Sequence, residues 1–123
     1  MKMNKNQVLE AFNSNGIELL DAIENGNNKV TDKIGKKFEL IFKTFLKDKK
    51  LAKECIPPLL QNENVAIRNW IAGFALGLEL YISEAEEVLY NISISEYGIN
   101  SLVAEYTLKQ WKEQGQLYEH LKK

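Results

Sequence analysis

The chain has 123 residues, a formal net charge of −1, and 45% hydrophobic and 27% charged residues, values that fit one globular domain over residues 1–123. No apolar run approaches the roughly 20 residues that cross a bilayer, and the N-terminus lacks the apolar stretch and the cleavage site of a signal peptide. One cysteine and one histidine exclude an internal disulfide framework and disfavour a Cys/His metal cluster. We therefore expect a cytoplasmic domain without a metal or another cofactor.

Charge differs between the two halves of the chain. Residues 1–53 hold eleven lysines and seven acidic residues, a net of +4, whereas residues 54–123 hold five basic and ten acidic residues, a net of −5. Solvated helix faces explain both halves, although a basic half can also approach nucleic acid and an acidic half a basic protein. The near-neutral total disfavours a dedicated nucleic-acid-binding protein, for which a strongly basic stripe is typical.

Helices are predicted throughout, because the sequence has only two prolines and no sustained period-2 alternation. The first helix covers about residues 4–25. Gly16 lies on its apolar side, where it allows a neighbouring helix to approach closely, although Asn13-Ser14-Asn15-Gly16 can equally break the helix. The second helix covers about residues 28–47, and the face opposite its apolar side carries six lysines: Lys29, Lys33, Lys36, Lys37, Lys43 and Lys47.

The third and fourth helices are short and apolar. Asp48 is placed to cap the third helix, and the adjacent Pro57-Pro58 inside it predicts a bend. A turn at Asn62-Glu63-Asn64 separates it from the fourth helix. Gly73 and Gly77, four residues apart on the fourth helix, predict that another helix packs closely there.

The fifth and sixth helices complete the predicted elements. Ser83 and Glu86 have the spacing of a capping box, which places the start of the fifth helix at Ser83. The sixth helix covers about residues 100–114 and ends at Gly115, with these apolar positions facing the core: Leu102, Val103, Tyr106, Leu108 and Trp111. The remaining residues, 116–123, are expected to fray and to add at most one short turn, through Leu117, Tyr118 and Leu121.

An internal repeat with a period of 32 residues relates the third and fourth helices to the fifth and sixth. Helix pairs repeating at such a period indicate an α-solenoid, in which stacked pairs share one continuous core. We therefore predict an all-α fold of about six helices in three antiparallel pairs, with an N-terminal helical cap (residues 1–50) and two repeats (residues 51–115). Eight apolar matches support the offset: Ile56/Val88, Leu60/Ile92, Ile67/Ile99, Trp70/Leu102, Ile71/Val103, Ala72/Ala104, Phe74/Tyr106 and Leu76/Leu108.

Two stretches of the first repeat resemble a HEAT repeat. Cys55-Ile56-Pro57-Pro58-Leu59-Leu60 is similar to the proline-bent first helix of that repeat, and Asn62-Glu63-Asn64-Val65-Ala66-Ile67-Arg68 to its turn, with Asn62 where the pattern usually has Asp. Residues 67–72 and 104–112 also resemble a bacterial HEAT-like (ARM-type) family catalogued as a domain of unknown function. The resemblance implies a HEAT-like α-solenoid and supplies no catalytic residues. Some small bacterial HEAT-like proteins resemble immunity proteins of toxin systems, which is an analogy at the level of the fold.

Residues able to carry chemistry are few and scattered. His120 falls in the tail among lysines, and Cys55 lies on an apolar helix face, where a buried and inert thiol is expected. Glu84, Glu86 and Glu87 cluster at the start of the fifth helix, where they complement the helix dipole more readily than they form an acid/base pair. We predict no catalytic, cofactor-binding or metal-binding residues, and hence a protein that is not an enzyme.

A partner-binding role remains as the main prediction. The second helices of solenoid pairs form the concave face, so the fourth and sixth helices would present the binding residues. A basic protein is the expected partner, and Trp70 and Trp111 belong either to the core or to this surface. The alternatives are nucleic-acid binding through the lysine face of the second helix, or self-association into a homo-oligomer. The candidate contact residues are Arg68, Asn69, Gly73, Glu105, Lys109 and Lys112.

Overall fold

Helices form almost all of the protein, as the periodicity predicts. The computed structural model describes residues 3–96 and 98–122, so Met1, Lys2, Tyr97 and Lys123 lie outside the described residues. Within those ranges there is no strand, which confirms the all-α prediction. The elements found there are α1 (Lys5–Asn25), α2 (Asn28–Lys47), α3 (Lys49–Leu60), α4 (Val65–Leu78), α5 (Ile82–Ser95), α6 (Ile99–Gln114) and a 3-10 turn (Glu119–Leu121).

Short polar side chains set the starts of the first four helices. Asn4 accepts a hydrogen bond from the Gln7 main-chain N–H at 2.9 Å, and the Gln7 side chain accepts one from the Asn4 N–H, a complete capping box. Asn27, Asp48 and Asn64 also accept hydrogen bonds from main-chain N–H groups, in the first turns of α2, α3 and α4, but without the reciprocal bond of a capping box. Each of these side chains satisfies a main-chain N–H that the helix itself leaves unpaired.

The predicted capping box at Ser83 is wrong. The helix begins one residue earlier, at Ile82, and no side chain caps it. Tyr81 precedes it in the left-handed region, with φ 52°, and the Tyr81 hydroxyl donates to the Lys53 carbonyl at 2.9 Å. A contact with α3, rather than local capping, therefore positions the start of α5.

Neighbouring helices in sequence are also neighbours in space. In addition, α1, α3 and α5 contact one another in that order, as do α2, α4 and α6. This is the contact pattern of stacked helix pairs. α4 contacts each of the other five helices, and residues 71–78 are all buried, so α4 is the centre of the core.

α4 approaches α1 closely at Gly16, which confirms the first of the two alternatives predicted for this residue. The helix is continuous through residues 13–16. A Cβ built on Gly16 would lie 2.7 Å from Ile67 Cδ1 and 2.9 Å from Asn64 Nδ2, so any larger residue here would force the side chains of Ile67 and Asn64 at the start of α4 to move.

A tail segment (residues 116–122) folds back over α2 and α4 instead of fraying. Leu117 and Leu121 are buried, and the Tyr118 ring lies 5.3 Å from the Phe42 ring and 5.1 Å from the Phe74 ring, between centroids. The short turn of the prediction is present at Glu119–Leu121. The expectation that this segment frays is wrong, because its apolar side chains complete an aromatic cluster on α4.

Among residues 3–96 and 98–122, none of the helices has both the length and the apolar character needed to cross a bilayer.

Candidate functional site

Arg68 holds the turn before α4. Its Nη1 donates to the main-chain carbonyls of Asn62 at 2.7 Å and Glu63 at 3.1 Å, and its Nη2 lies 3.9 Å from Glu96 at the end of α5. The side chain of Asn62 instead accepts from the Asn64 N–H at 2.8 Å. Arg68 therefore orients a turn and links it to the next helix pair.

Replacing Arg68 with alanine should lower the free energy of unfolding by about 2 kcal/mol, because two carbonyls lose a charged donor. Urea unfolding followed by circular dichroism measures the change. Lys109→Ala, at an exposed position on α6, is the control and should cost less than about 0.5 kcal/mol. Equal costs for the two substitutions would contradict the role of Arg68 in the turn.

Asn69 and Gly73, which were predicted as contact residues presented by the fourth helix, are buried rather than exposed. The Asn69 side chain is 7% exposed, and its Nδ2 donates to the Asn100 carbonyl at 3.0 Å. A Cβ on Gly73 would lie 3.1 Å from the Tyr118 hydroxyl. The start of α6 covers the first residue, and the tail segment covers the second. Gly73 and Gly77 thus admit the tail segment, where the sequence predicted a helix.

Glu105, Lys109 and Lys112 are exposed on α6, as predicted. Their spacing of four and three residues places them on one face of the helix. None of them lines the cavity described next, so the structure does not gather the predicted contact residues into one site.

A cavity of about 350 Å³ lies between the C-terminal half of α1, the start of α2, α4 and α6. We call it the apolar cavity, because aliphatic and aromatic side chains form most of its wall and no charged residue lines it. Its lining residues are Leu19, Ala22, Ile23, Gly26, Asn28, Thr31, Ala66, Asn69, Trp70, Ile99, Asn100, Val103, Thr107 and Tyr118. A pocket of this size and character accommodates a small ligand or an anchoring side chain.

Beside the cavity, α6 exposes large apolar side chains. We call them the α6 stripe: Ile99, Leu102, Val103 and Tyr106 are 51%, 62%, 43% and 63% exposed. Their spacing of three, one and three residues places them on one face of the helix. Leu102, Val103 and Tyr106 were predicted to face the core, and that prediction is wrong. α6 buries only Ala104 and Leu108 instead.

Carboxylates line a hollow next to the cavity. A neighbouring hollow of about 550 Å³ shares Ile99 with the cavity wall and is edged by Glu24, Glu63 and Glu96. Glu24 and Glu63 are exposed, while Glu96 faces Arg68. We call the apolar cavity and this hollow together the groove. Three carboxylates beside one arginine make the hollow end of the groove negative, which favours a basic group on whatever binds there.

Tyr118 has a strongly shifted pKa. Burial, and then the negative charge of Glu39, raise the pKa of Tyr118 from 10.0 to about 12. A tyrosine is neutral at physiological pH even with its ordinary pKa, and this shift extends the neutral range of Tyr118 to higher pH. Its ring forms part of the cavity wall and keeps that wall uncharged.

Alkaline titration should detach the tail segment. The folded chain holds the Tyr118 proton more tightly than the unfolded chain, so loss of this proton favours unfolding. The contribution of Tyr118 to stability is complete below pH 10 and should be lost as the pH rises to about 12. Tyrosinate absorbance, compared between the wild type and Tyr118→Phe, measures this titration. A Tyr118 phenol that ionises near pH 10 in the folded protein would contradict it.

Other reactive groups serve the packing. Burial, and then Glu54, raise the pKa of the Cys55 thiol from 9.0 to about 11, so little of the nucleophilic thiolate is present at neutral pH. Glu86 accepts a hydrogen bond from Trp111 Nε1 at 3.1 Å. Among residues 3–96 and 98–122, no three His, Cys, Asp or Glu side chains are grouped so as to hold a metal ion.

Sequence reasoning missed the cavity itself. The sequence did not decide whether Trp70 belongs to the core or to the surface. Trp70 packs edge-on against Phe38 and Phe74, and it also lines the cavity. Tyr118 was assigned only to a short turn. Ile99 and Val103 match Ile67 and Ile71 at the period of 32, but this match predicted that both residues face the core.

Comparison of the chain with models of protein families, with curated proteins and with solved structures gives no match. The geometry of the cavity and of the α6 stripe is therefore the basis for the functional interpretation.

Proposed function

We propose that this chain is a non-catalytic module that binds another protein through the α6 stripe and the adjoining groove. The observation that carries the proposal is the exposure of four large apolar side chains on one face of α6. Contiguous apolar surface on a soluble domain is typical of an interaction site. The resemblance to HEAT-like proteins supports the same role, because they present their second helices to partners.

The α6 stripe has the spacing that pairs with an amphipathic segment. Positions i, i+3, i+4 and i+7 on α6 are apolar, which suits a partner helix or loop with a matching apolar face. Glu24, Glu63 and Glu96 at the end of the groove favour a partner with basic residues flanking that face. An adaptor target and a basic toxin, to which the chain would confer immunity, are both partners of this kind.

A tagged pull-down from the native cell's lysate, at low and moderate salt, tests the proposal. We expect a stoichiometric protein that the wild type retains at low salt and loses as the salt rises, since screening weakens attraction to the carboxylates. Leu102→Ser combined with Tyr106→Ser should lose the same protein at low salt. Both side chains are exposed, so this variant should fold normally by circular dichroism.

Ile17→Ser is the matched control, because Ile17 is a large apolar side chain on α1 with 82% exposure that does not line the groove. It should retain the partner. A partner that binds the double variant as well as the wild type would contradict the proposal. So would recovery of nucleic acid that is lost when Lys29, Lys33, Lys36 and Lys37 become Glu, or self-association in light scattering with no other protein bound.

A further inference from the structure

The face of α2 that points away from the core carries a straight row of lysines with one leucine in its middle. The buried residues of α2, among them Phe38 and Phe45, lie on the opposite face. Spacings of four and three residues alternate along the row, so its members stay on one line over a length of about 27 Å. All of these residues are exposed, and we call them the lysine row: Lys29, Lys33, Lys36, Leu40, Lys43 and Lys47.

The lysine row places like charges close together. Lys33 has another lysine four residues away on each side, Lys29 and Lys37. Lys43 and Lys47 are a further pair at the same spacing. Like charges four residues apart repel each other on a helix. No ion pair within the described parts of the chain includes any of these lysines, so an anionic partner would relieve a repulsion that the helix itself retains.

The acidic residues of α2 indicate the shape of that partner. Asp32 and Glu39 are seven residues apart and lie together on one flank of the lysine row. A helix in the major groove of a duplex has base edges beneath it and phosphates on both sides, so the row would face bases and these carboxylates would face phosphates. Against a flat anionic surface, the row makes the contact and the carboxylates stay farther away. The charge pattern therefore favours a plane over a groove.

Leu40 indicates what kind of plane this is. It lies in the middle of the lysine row and is 64% exposed. An apolar side chain gains nothing from the phosphates of a nucleic acid, but it loses contact with water when it enters the boundary between lipid headgroups and acyl chains. The long stems of the neighbouring lysines allow their ammonium groups to remain at the level of the lipid phosphates.

We infer that α2 docks on the surface of an anionic lipid bilayer, with the lysine row against the headgroup phosphates and Leu40 inserted between them. Residues 1–53 carry a net charge of +4 and residues 54–123 a net of −5, so an anionic surface turns the basic half toward itself. This surface belongs to a different helix from the α6 stripe, and the inference does not depend on the proposed protein-binding function.

Co-sedimentation of the purified protein with lipid vesicles provides the test. One set of vesicles contains phosphatidylglycerol and phosphatidylcholine in equal parts, and the other contains phosphatidylcholine alone. The wild type should bind the anionic vesicles at about 0.1 M salt and leave them at about 1 M, because the screening length falls from about 10 Å to about 3 Å. It should not bind the neutral vesicles at either salt concentration.

Lys33→Glu combined with Lys43→Glu, the row variant, should bind the anionic vesicles roughly tenfold more weakly or worse, since each lysine near the surface contributes to binding. Both substitutions replace like-charge pairs by opposite charges, so the variant should be at least as stable as the wild type. Lys5→Glu combined with Lys109→Glu, at exposed positions on α1 and α6, changes the net charge equally and should retain most of the affinity.

The contribution of Leu40 distinguishes a bilayer from other polyanions. Leu40→Ser should weaken binding to the anionic vesicles roughly fivefold, because the apolar insertion is lost. Ile17→Ser, at an exposed apolar position on α1, should bind them as the wild type does. Duplex DNA in the same buffer should bind more weakly than the anionic vesicles do.

Four results would overturn the inference. The first is equal binding to the two sets of vesicles, or binding to neither. The second is an equal loss of affinity in the row variant and in the variant at Lys5 and Lys109, which would show that only net charge matters. The third is binding to duplex DNA as tight as to vesicles and unchanged by Leu40→Ser. The fourth is loss of vesicle binding when Leu102 and Tyr106 become Ser, which would assign the contact to the α6 stripe.

Discussion

Phe74→Ala will lower the free energy of unfolding by about 4 kcal/mol, the cost of removing a fully buried aromatic ring from a packed core. Phe74 has no exposed surface, and its ring lies 5.0 Å from Phe42, 5.6 Å from Trp70 and 5.1 Å from Tyr118. Those neighbours belong to different parts of the chain and cannot all collapse into the space left behind. Urea unfolding followed by circular dichroism measures the loss.

Tyr106→Ala is the matched control for Phe74→Ala. Tyr106 is the counterpart of Phe74 at the period of 32 and also an aromatic residue, but its side chain is 63% exposed. Its removal should change the stability by less than about 0.5 kcal/mol. Similar costs at the two positions would show that α6 is covered in solution as α4 is, and would remove the α6 stripe as a binding surface.

Gly77→Leu will detach the tail segment and cost about 3 kcal/mol of stability. A Cβ on Gly77 would already lie 3.0 Å from the Leu117 carbonyl oxygen and 3.3 Å from Phe42 Cε1. The first of these is a main-chain atom that cannot rotate away, so a larger side chain must push the tail segment off α4. Chemical denaturation measures the cost, and hydrogen exchange at residues 117–121 reports the release.

A double-mutant cycle distinguishes release of the tail from a general disturbance of α4. In a background of Tyr118→Ala and Leu121→Ala, the tail segment already has little to bury. Gly77→Leu should then cost about 1 kcal/mol less than in the wild-type background, because the weakened tail segment gives way more easily while the contact with Phe42 remains. The same cost in both backgrounds would show that Gly77 protects something within the helices instead.

Local signals predicted the helices and several contacts. The spacing of apolar residues located all six helices within a few residues, since that spacing arises from the helical period itself. One of the two alternatives for Gly16, the close approach of a neighbouring helix, is confirmed, whereas the sequence pattern alone did not choose between them. The capping box at Ser83 failed because a distant contact, from Tyr81 to Lys53, determines where α5 begins.

Coverage of a helix face was not predictable from the sequence. Phe74 and Tyr106 occupy equivalent positions and share one apolar pattern, yet α2 and the tail segment cover the first while the second is exposed. Periodicity shows which residues share a face, but what packs on that face depends on the whole chain. Asn69 is the opposite case, a polar residue that is buried. Its side chain donates to the carbonyl of Asn100, 31 residues later, and no local pattern predicts this contact.

The position of α4 also bears on how the protein comes apart. In longer solenoids each repeat touches only its neighbours, so the array can lose repeats singly from either end. In this protein, α4 contacts each of the other five helices. Departure of any one pair would expose part of the apolar surface of α4 and weaken its remaining contacts. The six helices are therefore coupled into a single cooperative unit, and partly unfolded intermediates that retain a native helix pair should be scarcely populated at equilibrium.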